Sequence, residues 1–225
     1  SWNTEPDGSG DEITASTIVE ETEDHNLYAL WAAISSTLTF NTSGGSDTSP
    51  TSKSVTYGEA YGALPTTSKT GHVFDEWNTE SDGSGDEIIA STTVEETENH
   101  NLYAQWTPIS STVTFDANSG PAVTPITKTV DYDSSYGELA SGTNEGHTLS
   151  WNTKSNGSGD EITASTIVTI TEAQILYALW TPISSTVTFN ANDGPAVTPT
   201  SKTVDYDSSY VELASGSNEG HPLSW

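Results

Sequence analysis

Carboxylates cluster in a short turn that occurs twice, as Asp7-Gly-Ser-Gly-Asp11-Glu12 and as Asp82-Gly-Ser-Gly-Asp86-Glu87. Such hard oxygens are the ligands that calcium prefers. The spacing lacks the alternating Asp-x-Asp-x-Asp pattern with a distal Glu, and a third copy starts with Asn. A solvated hairpin turn is therefore the favoured interpretation, and a calcium site is the alternative. The candidate calcium ligands are Asp7, Asp11, Asp82, Asp86 and Asp160.

The histidines do not form a ligand set within one stretch of sequence. His72, His147 and His221 recur about 75 residues apart. His25 and His100 recur with the same spacing at a different position. A metal site needs ligands that converge, so these side chains are predicted to be structural or exposed. The chain has no Gly-x-Ser-x-Gly, Walker or His-Glu-x-x-His motif. We predict neither an enzyme nor a required cofactor.

Three lysines, Lys53, Lys128 and Lys202, recur on strand faces that also carry Val and Tyr. A lysine on such a face suggests an intramolecular isopeptide bond to Asn or Asp. The alternative is a lysine whose ammonium reaches out from the end of the strand.

Two sequons, Asn41-Thr-Ser and Asn156-Gly-Ser, are candidate glycosylation sites. The abundance of Ser and Thr also fits O-linked glycans on exposed strand faces. We therefore expect covalent glycans as an additional feature of the protein.

The charge balance excludes nucleic-acid binding. The 225 residues include 5 Lys, no Arg and 32 acidic residues, which gives a formal net charge of −27. Affinity for phosphate backbones needs clustered Lys and Arg, and an anionic membrane surface would repel this chain. No apolar run is long enough for membrane insertion in this segment. The absence of Met predicts that the sequence begins inside a longer protein.

Tryptophans at 2, 31, 77, 106, 151, 180 and 225 reveal a repeat of 74 or 75 residues. Residues 1–31 match 76–106 at 25 of 31 positions, and 107–151 match 181–225 at 38 of 45. We therefore divide the chain into complete repeats at 32–106 and 107–180. Residues 1–31 are the C-terminal part of a repeat, and residues 181–225 are the N-terminal part.

The elements that position these residues are predicted to be strands. Residues 111–115, 128–132 and 102–106 alternate apolar and polar side chains, and the acidic turns follow the first Trp of each repeat. Short helical turns are expected only at 58–64 and 134–139. The acidic run at 20–24, repeated at 95–98, is predicted to be a charged strand that protects a sheet edge.

Four motifs recur in order, as in Val-Thr-Phe-Asp-Ala-Asn (113–118), Val-Thr-Tyr-Gly-Glu (55–59), Gly-His-Val-Phe-Asp-Glu-Trp-Asn-Thr (71–79) and Asn-Leu-Tyr-Ala-Gln-Trp (101–106). The chain resembles the Listeria–Bacteroides repeat, or internalin-type B repeat, over its whole length. This resemblance implies mainly β structure: a tandem array of small β-grasp-like modules with little helix. The second complete repeat departs from the pattern, because Leu149-Ser-Trp151 is one residue shorter than Phe74-Asp-Glu-Trp77.

The resemblance implies a secreted or surface-anchored prokaryotic protein. We expect a non-catalytic, extracellular structural protein that forms a surface fibre or an adhesin stalk. Neighbouring copies of the protein, joined end to end, are the expected partners. The alternatives are an adhesin module that recognises a host protein or glycan, and a linker stiffened by calcium.

Overall fold

The structure is a computed structural model that describes residues 1–218 and 221–222. Trp225 and the side chain of His221 lie outside the described residues. The chain divides into two compact units, 1–107 and 108–225, each of which contains one five-stranded sheet. The strands in order are β1 (Trp2–Asn3), β2 (Glu12–Ile13), β3 (Tyr28–Ala29), β4 (Ser35–Asn41), β5 (Ser52–Thr56), β6 (His72–Asn78), β7 (Glu87–Ile88), β8 (His100–Pro108), β9 (Ser110–Asp116), β10 (Thr127–Asp131), β11 (His147–Asn152), β12 (Glu161–Ile162), β13 (Gln174–Pro182), β14 (Ser184–Thr188), β15 (Ser201–Asp205), β16 (Ser217–Asn218) and β17 (His221–Pro222).

The two five-stranded sheets have the same strand order. The first is β5-β4-β8-β6-β7 and the second is β10-β9-β13-β11-β12. In each sheet the first and last long strands of the repeat are parallel neighbours at the centre, and β4 pairs Leu38 with His100 and Phe40 with Leu102. The described residues contain no helix. The predicted mainly β, tandem architecture is confirmed.

Alternation of side chains along the central strands builds each core. In β4 and β9 every second residue is buried, as the pleat of a strand with one solvated face requires. Leu38, Leu102 and Val94 are fully buried in the first repeat, and Val113 and Leu176 in the second. The alternation predicted for residues 102–106 is confirmed, because Leu102 and Ala104 are buried in β8.

Two tryptophans in each complete repeat anchor the core through their indole N–H groups. The Trp77 indole donates to the Pro65 carbonyl at 3.0 Å, and the Trp106 indole donates to the Thr42 carbonyl at 2.9 Å. Buried indoles need such an acceptor. Trp151 and Trp180 make the equivalent bonds in the second repeat, at 2.9 and 3.1 Å.

The remaining strands belong to the two part-repeats. β1, β2 and β3 form a three-stranded antiparallel sheet, and β14 pairs with β15 in an antiparallel hairpin. β16 and β17 form a separate two-stranded pair.

Two predictions of local structure were wrong. Residues 58–64 and 134–139 are not helical, because their amides and carbonyls bond elsewhere: the Tyr61 amide donates to the Thr92 carbonyl at 2.9 Å. The acidic runs at 20–24 and 95–98 are irregular segments that precede β3 and β8, not strands. The Val94 amide, just before the second run, bonds to the Glu59 carbonyl at 2.8 Å in the loop after β5.

Candidate functional site

A repeated lysine fixes the loop that follows the second strand of each repeat. The Lys53 ammonium donates hydrogen bonds to the carbonyls of Tyr61 and Ala63, the latter at 2.7 Å. Burial lowers the pKa of Lys53. The same arrangement recurs at Lys128 and Lys202. The ammonium therefore holds backbone carbonyls, and the structure gives no support to the isopeptide bond that the sequence suggested.

A buried asparagine organises each acidic turn, and sequence analysis missed it. Asn78 is 1% exposed; its carbonyl oxygen accepts from the Glu80 amide at 2.9 Å, and its amide donates to the Gly85 carbonyl at 3.2 Å. Thr79 Oγ1 accepts from the Asp86 amide at 2.9 Å. The recurring Trp-Asn-Thr triplet, at 2–4, 77–79 and 151–153, was the available signal. Asn3 and Asn152 form the equivalent bonds.

The aspartates that begin the turns use their side chains locally. Asp82 Oδ1 accepts from the Ser84 amide at 3.0 Å and from its hydroxyl at 2.6 Å, and Asp7 bonds to Ser9 identically. These hydrogen bonds hold the pKa of both carboxyls below the usual range. Asn156 closes the third turn in the same way, which shows that the turn needs an acceptor oxygen and not a charge.

The other candidate calcium ligands, Asp11, Asp86 and Asp160, are exposed at the ends of the same turns. Their backbone amides are bound by the hydroxyls of Thr4, Thr79 and Thr153. Among the described residues, no group of three or more His, Cys, Asp or Glu side chains is placed to hold a metal ion.

Both sequon asparagines are exposed: Asn41 is the last residue of β4, and Asn156 lies in a turn. Asn41 Oδ1 accepts from the Ser43 amide at 3.0 Å. Asn156 bonds to Ser158 within the turn described above. Both positions stay predictions as glycan sites.

The rings of the described histidines are oriented by hydrogen bonds to nearby backbone carbonyls. His25, His72, His100 and His147 each place Nδ1 about 3 Å from the carbonyl oxygen two residues earlier. His100 also bonds through Nε2 to the Tyr61 hydroxyl at 2.9 Å. These contacts tie loops to strands within one repeat.

In residues 108–218, a joint links the second complete repeat to the part-repeat that follows it. The Ile183 amide donates to the Gly146 carbonyl at 2.7 Å, and the Tyr206 amide donates to the Ile183 carbonyl at 3.0 Å. The rings of His147 and Tyr206 meet edge to face, with centroids 5.7 Å apart. Glu145 raises the pKa of Tyr206, with a smaller effect of burial.

Gly146 is required at this joint for two reasons. Its φ is +70°, which disfavours residues with a side chain, and a Cβ atom would lie 2.2 Å from the Tyr206 ring. The joint therefore depends on direct contact between backbone and ring. It fixes the second complete repeat against the part-repeat that follows it.

The Listeria-Bacteroides repeat domain model matches three successive segments, residues 37–105, 112–179 and 186–224. The chain belongs to the Listeria–Bacteroides repeat family. The chain is also similar to a protein of Evansella cellulosilytica provisionally named a Gly-rich membrane protein, with 31% identity over 98% of this chain and 26% of that protein. A second, provisionally named a membrane protein, is 31% identical over 88% of this chain and 29% of its own length.

The chain thus spans little more than a quarter of the curated relatives it matches. No solved structure matches it significantly. No helix of the described residues has the length and apolar character needed to cross a membrane.

Proposed function

We propose that this chain is a non-catalytic, load-bearing segment of an extracellular structural protein on a prokaryotic cell envelope. It forms part of a surface fibre or adhesin stalk. The family resemblance and the names of the two relatives support an envelope location.

The observation that carries this proposal is the position of the strands that begin and end each complete repeat. β4 and β8 are parallel neighbours, paired over Leu38–Asn41, and β9 and β13 are paired over Val113–Asp116. Tension along the chain pulls the start of β4 and the end of β8 in opposite directions. All the hydrogen bonds between the two strands are then loaded in shear at the same time. This geometry resists force better than one in which the bonds break one after another, and it therefore suits a stalk.

The joint supports the same proposal. A plain linker would let neighbouring repeats rotate freely, whereas the Gly146, Ile183 and Tyr206 contacts fix the second complete repeat to the part-repeat that follows it. Gly146→Ala removes this fit without touching the core of either repeat. Because alanine is strained at a φ of +70°, we expect the variant to lose about 1 kcal/mol of stability in the second complete repeat and none in the first. We also expect a larger spread of end-to-end distances by small-angle scattering.

Labelling of intact cells tests the location. We expect an antibody against the 225-residue chain to label the surface of cells that produce it, and external protease to remove the signal. Labelling that appears only after permeabilisation would refute an extracellular location. Negative-stain images of purified material test the extended shape in parallel.

We further propose end-to-end association with neighbouring copies, and covalent glycans at Asn41 and Asn156. Intact-mass measurement of native material tests the glycans: a mass increase localised to either peptide supports them, and an unmodified mass refutes them. Comparing melting in EDTA and in millimolar calcium tests the calcium-stiffened linker, for which a calcium-dependent rise is required.

A further inference from the structure

One turn of the second complete repeat contains an asparagine followed by a glycine. Asn156-Gly157 is the one Asn-Gly pair in the sequence, and Asp7 and Asp82 hold the position of the asparagine in the other two turns. The backbone attacks an asparagine side chain most readily when glycine follows, because glycine has no Cβ atom that hinders the approach of its nitrogen. This turn can therefore undergo a reaction that the other two turns do not share.

The turn exposes the Asn156 side chain and polarises its carbonyl group. Asn156 is exposed to solvent, and the φ of Gly157 is +76°. Asn156 Oδ1 accepts hydrogen bonds from the Ser158 amide at 3.0 Å and from the Ser158 hydroxyl at 2.8 Å. Donors on a carbonyl oxygen stabilise the negative charge that develops there when a nucleophile attacks the carbon. Ser158 therefore activates the side-chain amide of Asn156.

We propose that Asn156 deamidates spontaneously in the folded protein wherever it carries no glycan. The Gly157 nitrogen loses its proton to solvent, attacks Cγ of Asn156 and forms a new C–N bond. The bond between Cγ and Nδ2 breaks, and Nδ2 takes a proton from solvent and leaves as ammonia. The product is a five-membered succinimide ring.

Water then opens the succinimide at one of its two carbonyl carbons. Attack at Cγ restores the normal backbone and leaves an aspartate, whereas attack at the main-chain carbon leaves an isoaspartate. In both cases the carbon gains a hydroxyl from water and the Gly157 nitrogen regains a proton, so no oxidant or reductant is needed. Either product adds one negative charge to a turn whose other charged residues are Lys154 and Asp160.

One hydrogen bond opposes the reaction. The Gly157 amide donates to the Lys154 carbonyl at 3.0 Å, and the turn must release this bond before the nitrogen attacks. Releasing one exposed hydrogen bond reduces the reactive population about fivefold. A single donor in an enclosed oxyanion hole accelerates a reaction about a hundredfold or more, so a small part of that effect offsets the loss. We therefore expect the folded turn to remain reactive.

The aspartate turns show why the reaction is specific to the second repeat. Asp82 Oδ1 accepts the same two bonds from Ser84, and these bonds lower the pKa of the carboxyl group. An ionised carboxylate is a poor electrophile, because its charge repels the attacking nitrogen. The Asp82 turn also indicates that the fold accommodates an aspartate product at position 156.

The isoaspartate product is expected to loosen the turn. Its additional backbone atom displaces Gly159, whose amide donates to Asn152 Oδ1 at 3.1 Å, and Asp160, whose amide donates to Thr153 Oγ1 at 2.9 Å. In a long-lived surface fibre, the reaction thus marks old copies with a new charge and an altered turn. This consequence rests on the fibre function proposed above, whereas the reaction itself does not.

Peptide mapping by mass spectrometry tests the reaction in the 225-residue chain, produced in a host that adds no glycans. Folded protein and a urea-denatured sample are kept at neutral pH for several weeks. We expect Asn156 in the folded protein to convert to aspartate and isoaspartate at least about tenfold faster than any other asparagine. An unchanged Asn156 in the folded protein, while the denatured sample converts, would overturn the proposal. Equal conversion at other asparagines would overturn it as well.

A pair of serine variants tests the activation. Ser158→Ala removes the hydroxyl donor and should slow the conversion of Asn156 about threefold, a smaller effect than in an enclosed active site. Ser84→Ala, at the same position of the first repeat, is the matched control and should leave the rate at Asn156 unchanged. Conversion in the Ser158→Ala chain that is as fast as in the original chain would contradict activation by Ser158.

Transfer of the site to the first repeat tests whether the turn is sufficient. Asp82→Asn gives that turn the same Asn-Gly-Ser sequence, and we expect it to deamidate at a rate within about threefold of that of Asn156. Asn156→Gln is the negative control, because its longer side chain must close a six-membered ring, and it should stay unmodified. An unreactive Asp82→Asn turn would overturn the proposal. The surface location and the glycans are decided by cell labelling and by the mass of native material, so the proposals fail separately.

Discussion

The two complete repeats share one strand order but fill their cores with different side chains. In the first, Phe74 packs against Trp77 and Trp106, with ring centroids 5.6 and 5.5 Å apart. The second has a strand one residue shorter, and Leu149 takes the place of the phenylalanine. The fold therefore depends on the shared positions and tolerates variation beside them.

The second repeat compensates with additional apolar residues. Val123 and Ala140 join its buried core, and Ile170 packs against it where the first repeat has Glu96. The position of Val123 is held in the first repeat by Thr48, which is 5% exposed and whose hydroxyl has no hydrogen-bond partner among the described residues. The second repeat thus has fewer aromatic contacts and a more apolar core.

The largest effect is expected at the shared centre of the cores. Leu102 and Leu176 are both fully buried in the core of their repeat, with 0% of the side chain exposed to solvent. Leu102→Ala and Leu176→Ala should each lower the free energy of unfolding of their repeat by about 2–5 kcal/mol. Denaturant unfolding followed by tryptophan fluorescence measures this. Losses that differ by more than about 2 kcal/mol would show that the cores are not equivalent.

The next largest effect on stability is expected at Phe74, whose aromatic contacts have no counterpart in the second repeat. Phe74→Ala removes a half-buried ring and two aromatic contacts, and should lower the free energy of unfolding of the first repeat by about 2–3 kcal/mol. Leu149→Ala in the second repeat should cost about 1–2 kcal/mol, because it removes fewer contacts. The same unfolding experiment compares them. A larger loss from Leu149→Ala would reverse the comparison.

A swap at the Thr48 position should change the two repeats in opposite directions. Thr48→Val removes a buried hydroxyl without a partner and should raise the free energy of unfolding by about 1–2 kcal/mol. Val123→Thr introduces one and should lower it by a similar amount. Calorimetry of the two variants measures both changes, and a destabilised Thr48→Val chain would argue that the hydroxyl is satisfied in solution.

The smallest effect is expected in alkali. Burial raises the pKa of Tyr61, and Glu96 and Glu95 add to this, whereas burial alone raises the pKa of Tyr136. Because these folded-state values are raised, their contribution to stability is complete below about pH 10 and is lost as the pH rises through the folded-state pKa.

Absorbance titration of tyrosinate measures this difference. Tyr61→Phe and Tyr136→Phe should each remove signal from the high-pH part of the curve, because burial raises the pKa of both hydroxyls. Curves that lose only their lowest-pH portion would contradict the burial of either hydroxyl.

Much of the architecture could be predicted because it follows from residue spacing and from the alternation of side chains along short segments. Tryptophan spacing reveals the repeat, and alternation in residues such as 111–115 predicts the strands. The loops after β5 and β10 could not be predicted, because the Lys53 ammonium binds carbonyls eight and ten residues further along the chain. The conformational preferences of the individual residues do not predict such a bond.

The functional features show the same division. The acidic turns were predicted as hairpins from Asp-Gly-Ser-Gly, but the role of Asn78 depends on the turn folding back over a buried amide. The joint at Gly146 and Tyr206 joins residues 60 positions apart, and no spacing rule connects them. The Gly-His dipeptide that repeats at 71–72, 146–147 and 220–221 was the available hint.

Mechanical unfolding of the 225-residue chain tests the central claim most directly. Pulled from its two ends, the chain should show two principal unfolding events, one for each complete repeat. Each event should release about 20–25 nm, given roughly 3.5 Å per extended residue. Two force peaks of this length support repeats whose parallel terminal strands resist shear. Extension without force peaks, or one event for the whole chain, would contradict a load-bearing array.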